Sequence, residues 1–157
     1  MSRKRMSMIL KLVALGLTGL ILVPSGAHLF ELPAKMALGR EEYRLVQSIY
    51  AGWALFAGPI FAAILANVGL AVTLRRSDPV AARWAIASAV FVALSLGVFF
   101  VWVFPANRAT GNWTDVPADW QTLRRNWEYG HAANAVIIFL ALLATGRAVI
   151  GGIVRVR

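Results

Sequence analysis

Four long runs of apolar residues, separated by short polar stretches, dominate the pattern along the chain. They cover residues 8–30, 48–74, 85–104 and 131–150. Each run is long enough to cross the hydrocarbon core of a bilayer as a helix, which takes about 20 residues. The pattern therefore predicts an all-α integral membrane four-helix bundle, forming a single membrane domain over residues 1–157 with the lipid bilayer as its partner.

Polar and aromatic positions at helical spacing extend the second run toward its N-terminal side. Tyr43, Gln47, Tyr50 and Ala54 recur at i, i+4, i+7 and i+11. Positions with this spacing share one face of a helix. They predict that a helix beginning at Glu41 enters the membrane near residue 48 and carries hydrogen-bonding groups on an inward face.

A second amphipathic stripe precedes the fourth run. Trp120, Leu123, Trp127 and His131 recur at i, i+3, i+7 and i+11, after Asp119 near the helix start. This spacing predicts an external amphipathic helix that leads directly into the fourth span.

Proline, glycine and capping residues indicate where the helices bend, begin or end. Pro24 and Gly26 predict loosened last turns in the first span, and Pro59 predicts a kink in the second. Pro105 predicts the end of the third span. Asp78, followed by a proline, suits the N-cap of the third helix.

Isolated polar residues inside the spans have simpler interpretations. Asn67 and Thr73 are expected to hold helices together by hydrogen bonds. Ser88, Ser95 and Trp102 repeat at seven-residue spacing and predict a seam of close helix contact that ends in an interfacial tryptophan.

Composition and charge narrow the class of protein. Hydrophobic residues make up 59% of the chain, charged residues only 15%, and there is no cysteine, which excludes disulfides and thiolate metal sites. Ten of the 16 Lys and Arg residues but one of the seven acidic residues fall on the side shared by both termini. The positive-inside rule then predicts a multi-pass protein of the cytoplasmic (inner) membrane with both termini cytoplasmic. The net charge of +9 follows this topology pattern, so no nucleic-acid partner is expected.

The first run also has features of a signal peptide. Small residues at positions 25–27 would suit a signal peptidase, and cleavage there would leave His28 as the new N-terminus. The length of the run and the charge distribution over the other three spans favour an uncleaved first span.

The two histidines of the chain lie in a pair of mirrored motifs. His28 precedes Glu31 by three residues at the outer end of the first span, and Glu128 precedes His131 by three residues at the mouth of the fourth. Antiparallel first and fourth helices would bring both pairs to one membrane depth. We therefore take His28, Glu31, Glu128 and His131 as candidate catalytic residues at the external end.

Three kinds of chemistry fit these four side chains. They could bind a single transition metal, since Glu-x-x-His pairs supply metal ligands in helix bundles. They could act without a cofactor, a glutamate orienting a histidine that accepts a proton. His28 and His131 could instead ligate haem, which ranks behind the other two. A purely structural alternative pairs Glu128 with Arg124 and Glu31 with Lys35, each four residues away.

Three sequence patterns resemble a four-span membrane family of unknown function that includes anthrone oxygenases. H-x-x-E-x-P occupies residues 28–33, and Y-x-x-V-Q-x-x-Y occupies residues 43–50. Asn107 followed by W-x-x-L-R-x-x-W-E-x-x-H at residues 120–131 forms the third. The resemblance covers nearly the whole chain. It implies a four-helix fold and, by likeness to anthrone oxygenases, an anthrone oxygenase-like monooxygenase that needs no conventional cofactor.

These observations lead to a functional hypothesis. We expect a membrane oxidoreductase or oxygenase acting on a lipid-soluble aromatic compound in an external pocket between the first, second and fourth helices. His131 would be the base or metal ligand and Glu128 its orienting partner. The substrate or oxygen contacts would come from five further side chains: Gln47, Tyr50, Asn107, Trp120 and Trp127.

Two alternatives belong to other functional classes. A non-catalytic membrane scaffold or accessory subunit predicts that the two His/Glu pairs point apart. A haem- or metal-binding electron-transfer protein predicts that they hold a chromophore or metal ion.

Overall fold

The computed structural model describes residues 3–151, and within that range the chain consists of helices and connecting turns without a β-strand. The α-helices are α1 (Arg3–Ala37), α2 (Arg40–Gln47), α3 (Ala57–Leu74), α4 (Pro79–Val98), α5 (Phe104–Ala109) and α6 (Trp120–Gly151). The expected all-α class is confirmed for these residues. Arg155 and Arg157, which belong to the basic terminal side of the charge pattern, lie outside the described residues.

Within residues 3–151, four helical segments are long and apolar enough to cross a membrane, as the apolar runs predict. They are Arg5–Ala37, Trp53–Leu74, Pro79–Ala109 and Trp120–Gly151. Three of them extend well beyond the apolar runs, because the polar turns at their ends remain helical. The side of the membrane on which each terminus lies stays a prediction.

The four long helices form a closed bundle. α1 contacts α3 and α6, and α4 contacts the same two helices, so α1 and α4 lie diagonally. α1 and α6 are antiparallel: Lys11 Nζ lies 3.1 Å from the Val149 carbonyl oxygen at one end. At the other end Lys35 Nζ lies 2.7 Å from Glu128 Oε1. Residues late in α1 therefore lie beside residues early in α6, which places the two His/Glu motifs at the same end.

Small and polar side chains join the four helices in the other half of the bundle. Asn67 Nδ2 donates to Thr18 Oγ1 at 3.1 Å, and Thr145 Oγ1 donates to Asn67 Oδ1 at 3.0 Å. Ser88 Oγ lies 2.7 Å from the same Thr145 hydroxyl. The expected role of Asn67 as interhelical glue is confirmed. The same expectation for Thr73 is wrong, since this exposed hydroxyl donates to a carbonyl of its own helix at 2.8 Å.

The first helix is longer and more continuous than expected. α1 runs through Pro24 and Pro33 to Ala37, so the predicted loosening near Gly26 does not interrupt it. α1 packs against α3 and α6. Neighbouring helices can satisfy the backbone groups that a proline frees, so a transmembrane helix tolerates one. As a result His28, Glu31 and Lys35 all project from one continuous helix.

The helix expected to run from Glu41 into the second span is interrupted, and that prediction is wrong. α2 ends at Gln47 and is followed by a 3₁₀ turn at Ser48–Tyr50, then a second at Trp53–Phe56. Between them Gly52 has φ +85°, a left-handed conformation that a glycine adopts without a Cβ penalty. Pro59 falls in the first turn of α3, where no backbone N–H is needed, so the break precedes the predicted kink.

The third span begins as predicted but ends later. Asp78 Oδ1 accepts a hydrogen bond from the Ala81 N–H at 3.1 Å, with Pro79 as the first helical residue. At the other end a π-helical turn, Phe99–Val103, leads into α5. This wider turn changes the hydrogen-bonding register just before Pro105, whose missing N–H therefore does not stop the helix.

Candidate functional site

The two histidines stack on each other where α1 passes α6. The ring centroids of His28 and His131 lie 4.0 Å apart with 30° between the planes. Trp127 lies one helical turn before His131 and contacts both rings edge-on, at centroid distances of 4.2 Å and 4.9 Å. His28 is buried, whereas His131 is partly exposed.

An ion pair next to the histidines joins α1 and α6. Lys35 Nζ lies 2.7 Å from Glu128 Oε1, and the exposed fractions of the two side chains are 4% and 0%. The Lys35 ammonium also lies 4.3 Å from the Trp127 ring centroid and 4.5 Å from that of Tyr50. This cation is thus surrounded by one carboxylate and two aromatic faces, an environment in which cation–π attraction is strengthened by desolvation.

Hydrogen bonds extend the ion pair in two directions. Tyr43 donates its hydroxyl proton to Glu128 Oε1 at 2.8 Å and accepts from Gln47 Nε2 at 2.6 Å. On the other side, Lys35 Nζ donates to the Tyr50 oxygen at 3.2 Å, and the Tyr50 hydroxyl donates to Glu31. A single chain of contacts therefore connects Glu31 to Gln47 through both tyrosines and the ion pair.

Both tyrosines remain protonated donors in this network. Burial raises the pKa of Tyr43, and the neighbouring charge of Glu128 raises it further. Burial likewise raises the pKa of Tyr50, followed by its hydrogen bond to the Glu31 carboxylate. The row of Tyr43, Gln47 and Tyr50 does face the interior, but the turn around Gly52 leaves the fourth member, Ala54, exposed.

The within-helix ion pairs considered from the sequence are not formed. Lys35 binds Glu128 across the helix interface rather than Glu31. Arg124 Nη1 donates to the Leu38 carbonyl oxygen at 2.8 Å and to that of Lys35 at 3.4 Å. A cation at the C-terminal carbonyls of α1 satisfies acceptors that the helix itself leaves open. The buried contacts across the interface thus replace the weaker pairs along each helix.

The predicted substrate-contact residues have protein partners. Trp127 Nε1 donates to Asn107 Oδ1 at 2.8 Å, so these two residues fix each other. Trp120 lies under the guanidinium of Arg124, with 4.6 Å from the Arg124 Cζ to the ring centroid. Tyr50 and Gln47 belong to the hydrogen-bond chain described above. Only Tyr50 and Trp127, among the five, directly contact a histidine ring.

Two residues of the cluster were not predicted as site residues from the sequence. The sequence predicts Lys35 only as an ion-pair partner for Glu31, although its seven-residue spacing from His28 places both on one helix face. Trp53 lies 5.4 Å from His28 and 4.8 Å from Tyr50 between ring centroids. Its three-residue spacing from Tyr50 is a signal that could have indicated it. Its position also depends on the turn at the left-handed Gly52.

Several buried polar atoms in the cluster have no hydrogen-bond partner in the part of the chain that the structure describes. They include His28 Nδ1, Glu128 Oε2 and Gln47 Oε1. Most buried polar atoms in proteins are paired, so an unpaired group at three neighbouring residues is unusual. No hydrogen bond joins a histidine to Glu31 or Glu128 among the described residues, so Glu128 does not orient His131 as expected.

The four predicted ligands do not fit a metal ion or haem. Within residues 3–151, no group of three or more His, Cys, Asp or Glu side chains could hold a metal ion. Glu128 Oε1 is taken by Lys35 and Tyr43, and Glu31 Oε2 by Tyr50. The stacked rings of His28 and His131 leave no space for a porphyrin plane between them.

Two surface grooves in the described part of the chain have linings that include neither histidine. One, of about 440 Å³, lies between α3 and α4 near residues 71–86. The other, of about 350 Å³, follows one face of α1 from Gly19 to Phe30. The space expected to be an external pocket is occupied at the histidines by Tyr50, Trp53 and Trp127.

No family model, curated protein or solved structure matches the chain. The function proposed below therefore rests on the geometry of the cluster.

Proposed function

We propose that the protein is a membrane oxidoreductase that oxidises a lipid-soluble aromatic compound with dioxygen, using the stacked histidines as the proton acceptor. The observation that carries this proposal is the convergence of His28 and His131 beside a buried Lys35–Glu128 pair. Buried ionisable groups in membrane-spanning helices are costly and mark functional sites by default. The scaffold alternative predicts that the two His/Glu pairs point apart, whereas residues of both pairs meet where α1 contacts α6.

The histidines supply the proton-transfer step. His131 is partly exposed and accepts a proton from an activated CH₂ group of the substrate, as a neutral imidazole can. His28 lies against it, and its Nδ1 has no hydrogen-bond partner among the described residues. His131 is then the base and His28 the residue that shares or relays the proton.

The rest of the reaction needs only dioxygen as co-reactant. The carbanion left at the CH₂ carbon transfers electrons to dioxygen and forms a C–O bond, giving a hydroperoxide. Loss of water leaves a carbonyl, so that CH₂ and O₂ become C=O and H₂O. The Lys35 ammonium stabilises negative charge that develops on the substrate during proton loss.

The aromatic side chains suit a planar, apolar substrate. Tyr50, Trp53 and Trp127 surround His28, and aromatic rings stack favourably on polycyclic compounds. Asn107 holds Trp127 through the indole N–H, and Trp120 holds Arg124, so both act as positioning residues. Binding requires Trp53 and its turn to move aside, because the rings contact His28 directly.

Oxygen consumption by the reconstituted protein tests the proposal, with anthrone as the probe substrate. We expect a rate above that of protein-free liposomes, lost by about a hundredfold or more in His131→Ala because a general base is removed. Tyr129→Phe is the matched control, since this side chain is exposed on the same helix next to Glu128. A wild-type rate equal to that of empty liposomes, or an active His131→Ala variant, would refute it.

A structural role for the cluster is the second candidate, favoured by the rings of Tyr50, Trp53 and Trp127 that pack against His28. In that case His28→Ala and His131→Ala would each lower the melting temperature, and any loss of activity would follow from the loss of folded protein. The catalytic proposal expects the melting temperature of His131→Ala to stay close to that of wild type, because the side chain of this residue is partly exposed.

A further inference from the structure

The groove between α3 and α4 lies at the opposite end of the bundle from the histidines. Its floor is formed by Ala71 and Ala82, which are 4% and 7% exposed. Their small side chains leave a shallow, open groove of about 440 Å³ between the two helices. Val72 and Ile86 form apolar walls and are 54% and 45% exposed. The groove is thus an apolar trough that faces the surroundings of the bundle.

Two arginines line the same groove beside the turn that joins α3 to α4. Arg75 follows the last residue of α3, and Arg83 lies one turn into α4. Both are exposed, and neither forms an ion pair with a carboxylate in residues 3–151. Pairs of guanidinium groups are well suited to phosphate oxygens.

We infer that this groove binds one anionic phospholipid, with its phosphate on Arg75 and Arg83 and an acyl chain along Val72 and Ile86. Position and chemistry agree, because the groove starts at the end of two candidate spans and follows them toward the bundle centre. Basic pockets between transmembrane helices are known to take acidic lipid head groups. The two arginines at one end of the groove match the lipid phosphate, and the apolar trough along the rest matches its acyl chain. A soluble anion would leave the trough unfilled. This inference does not depend on the proposed oxidoreductase function.

Native mass spectrometry of the full-length protein tests the lipid site, with phosphatidylglycerol and phosphatidylcholine of equal chain length as probes. We expect wild type to retain one phosphatidylglycerol in preference to phosphatidylcholine. Arg75→Gln combined with Arg83→Gln should weaken phosphatidylglycerol binding on the order of tenfold. Excess glycerol phosphate should not displace the lipid, because it has no chain to fill the trough.

A matched control separates this site from general electrostatic attraction. Arg76→Gln combined with Arg147→Gln removes the same charge from two other exposed arginines, neither of which lines the groove. This control should bind phosphatidylglycerol within about threefold of wild type. Equal losses in both double variants, or no preference for phosphatidylglycerol in wild type, would overturn the inference.

Discussion

At the scale of single residues, Lys35 and Glu128 decide how the two histidine motifs are joined. Each is buried at a position where a lone charge would be strongly unfavourable. Their 2.7 Å contact replaces two within-helix pairs that the sequence offers equally well. The ion pair therefore fixes the register between α1 and α6 beside the histidines.

Removing one member of this pair should be worse than removing both. We expect Lys35→Met and Glu128→Gln each to lower the free energy of unfolding by about 3 kcal/mol, because each single change leaves an uncompensated or unpaired buried group. The double variant should recover much of that loss. Thermal unfolding in detergent measures the cycle. Additive losses would mean that the two groups do not interact.

Arg124 offers a second test at residue scale, with its neighbour as control. Arg124 is buried and donates to the Leu38 carbonyl at 2.8 Å, whereas Arg125 is exposed and contacts only Thr122 at 3.4 Å. Arg124→Lys should cost about 1.5 kcal/mol, since an ammonium cannot reproduce the stacked, forked geometry. Arg125→Lys should change the unfolding free energy by less than about 0.5 kcal/mol. Equal effects of the two changes in the same thermal assay would contradict the assigned role.

At the scale of elements, the segment between α2 and α3 brings the aromatic side chains to the histidines. Tyr50 and Trp53 lie on either side of Gly52, whose φ of +85° interrupts the helix, and their rings contact His28 and each other. The break between the two 3₁₀ turns therefore lies within the site itself.

Gly52→Ala tests the importance of this turn. A Cβ at φ +85° should cost about 1 kcal/mol and weaken the contact between Trp53 and His28. Gly58→Ala is the control: this glycine is exposed within α3, with open space around a Cβ, so alanine should be neutral or slightly stabilising. Melting temperature and tryptophan fluorescence together measure both effects. A Gly52→Ala protein as stable as Gly58→Ala would show that the turn is not constrained.

At the scale of the whole molecule, the distribution of charge predicts the orientation in the membrane. The structure describes four apolar helices in an antiparallel arrangement but no membrane. Ten of the 16 Lys and Arg residues lie on the side of the termini by the sequence count. The histidine cluster should then face the external side and the arginine-lined groove the cytoplasm.

Single cysteines can test this orientation without background, because the chain has none of its own. We expect Ala118→Cys to react with a membrane-impermeant maleimide in intact cells, since it belongs to the predicted external side and is exposed. Ser77→Cys, exposed in the turn between α3 and α4, should react only after the membrane is opened. The reverse labelling would place both termini outside.

The sequence alone determined the four long helices of this protein. Apolar runs specify four helices because burying about 20 apolar residues in lipid outweighs local preferences. The Asp78 cap, the glue residue Asn67 and the position of each His/Glu pair on its helix follow from short-range spacing. These properties depend on periodicity and side-chain chemistry within one segment and not on contacts between helices.

Only the tertiary structure decided which groups act on each other. Spacing along a helix favoured Glu31 with Lys35, yet the close approach of α6 gives Lys35 a buried partner in Glu128. An exposed pair along a helix contributes only about 0.3–0.5 kcal/mol, so a desolvated contact across the interface readily prevails once both helices are in place. In the same way Trp53 reaches His28 through a glycine turn that no period in the sequence encodes.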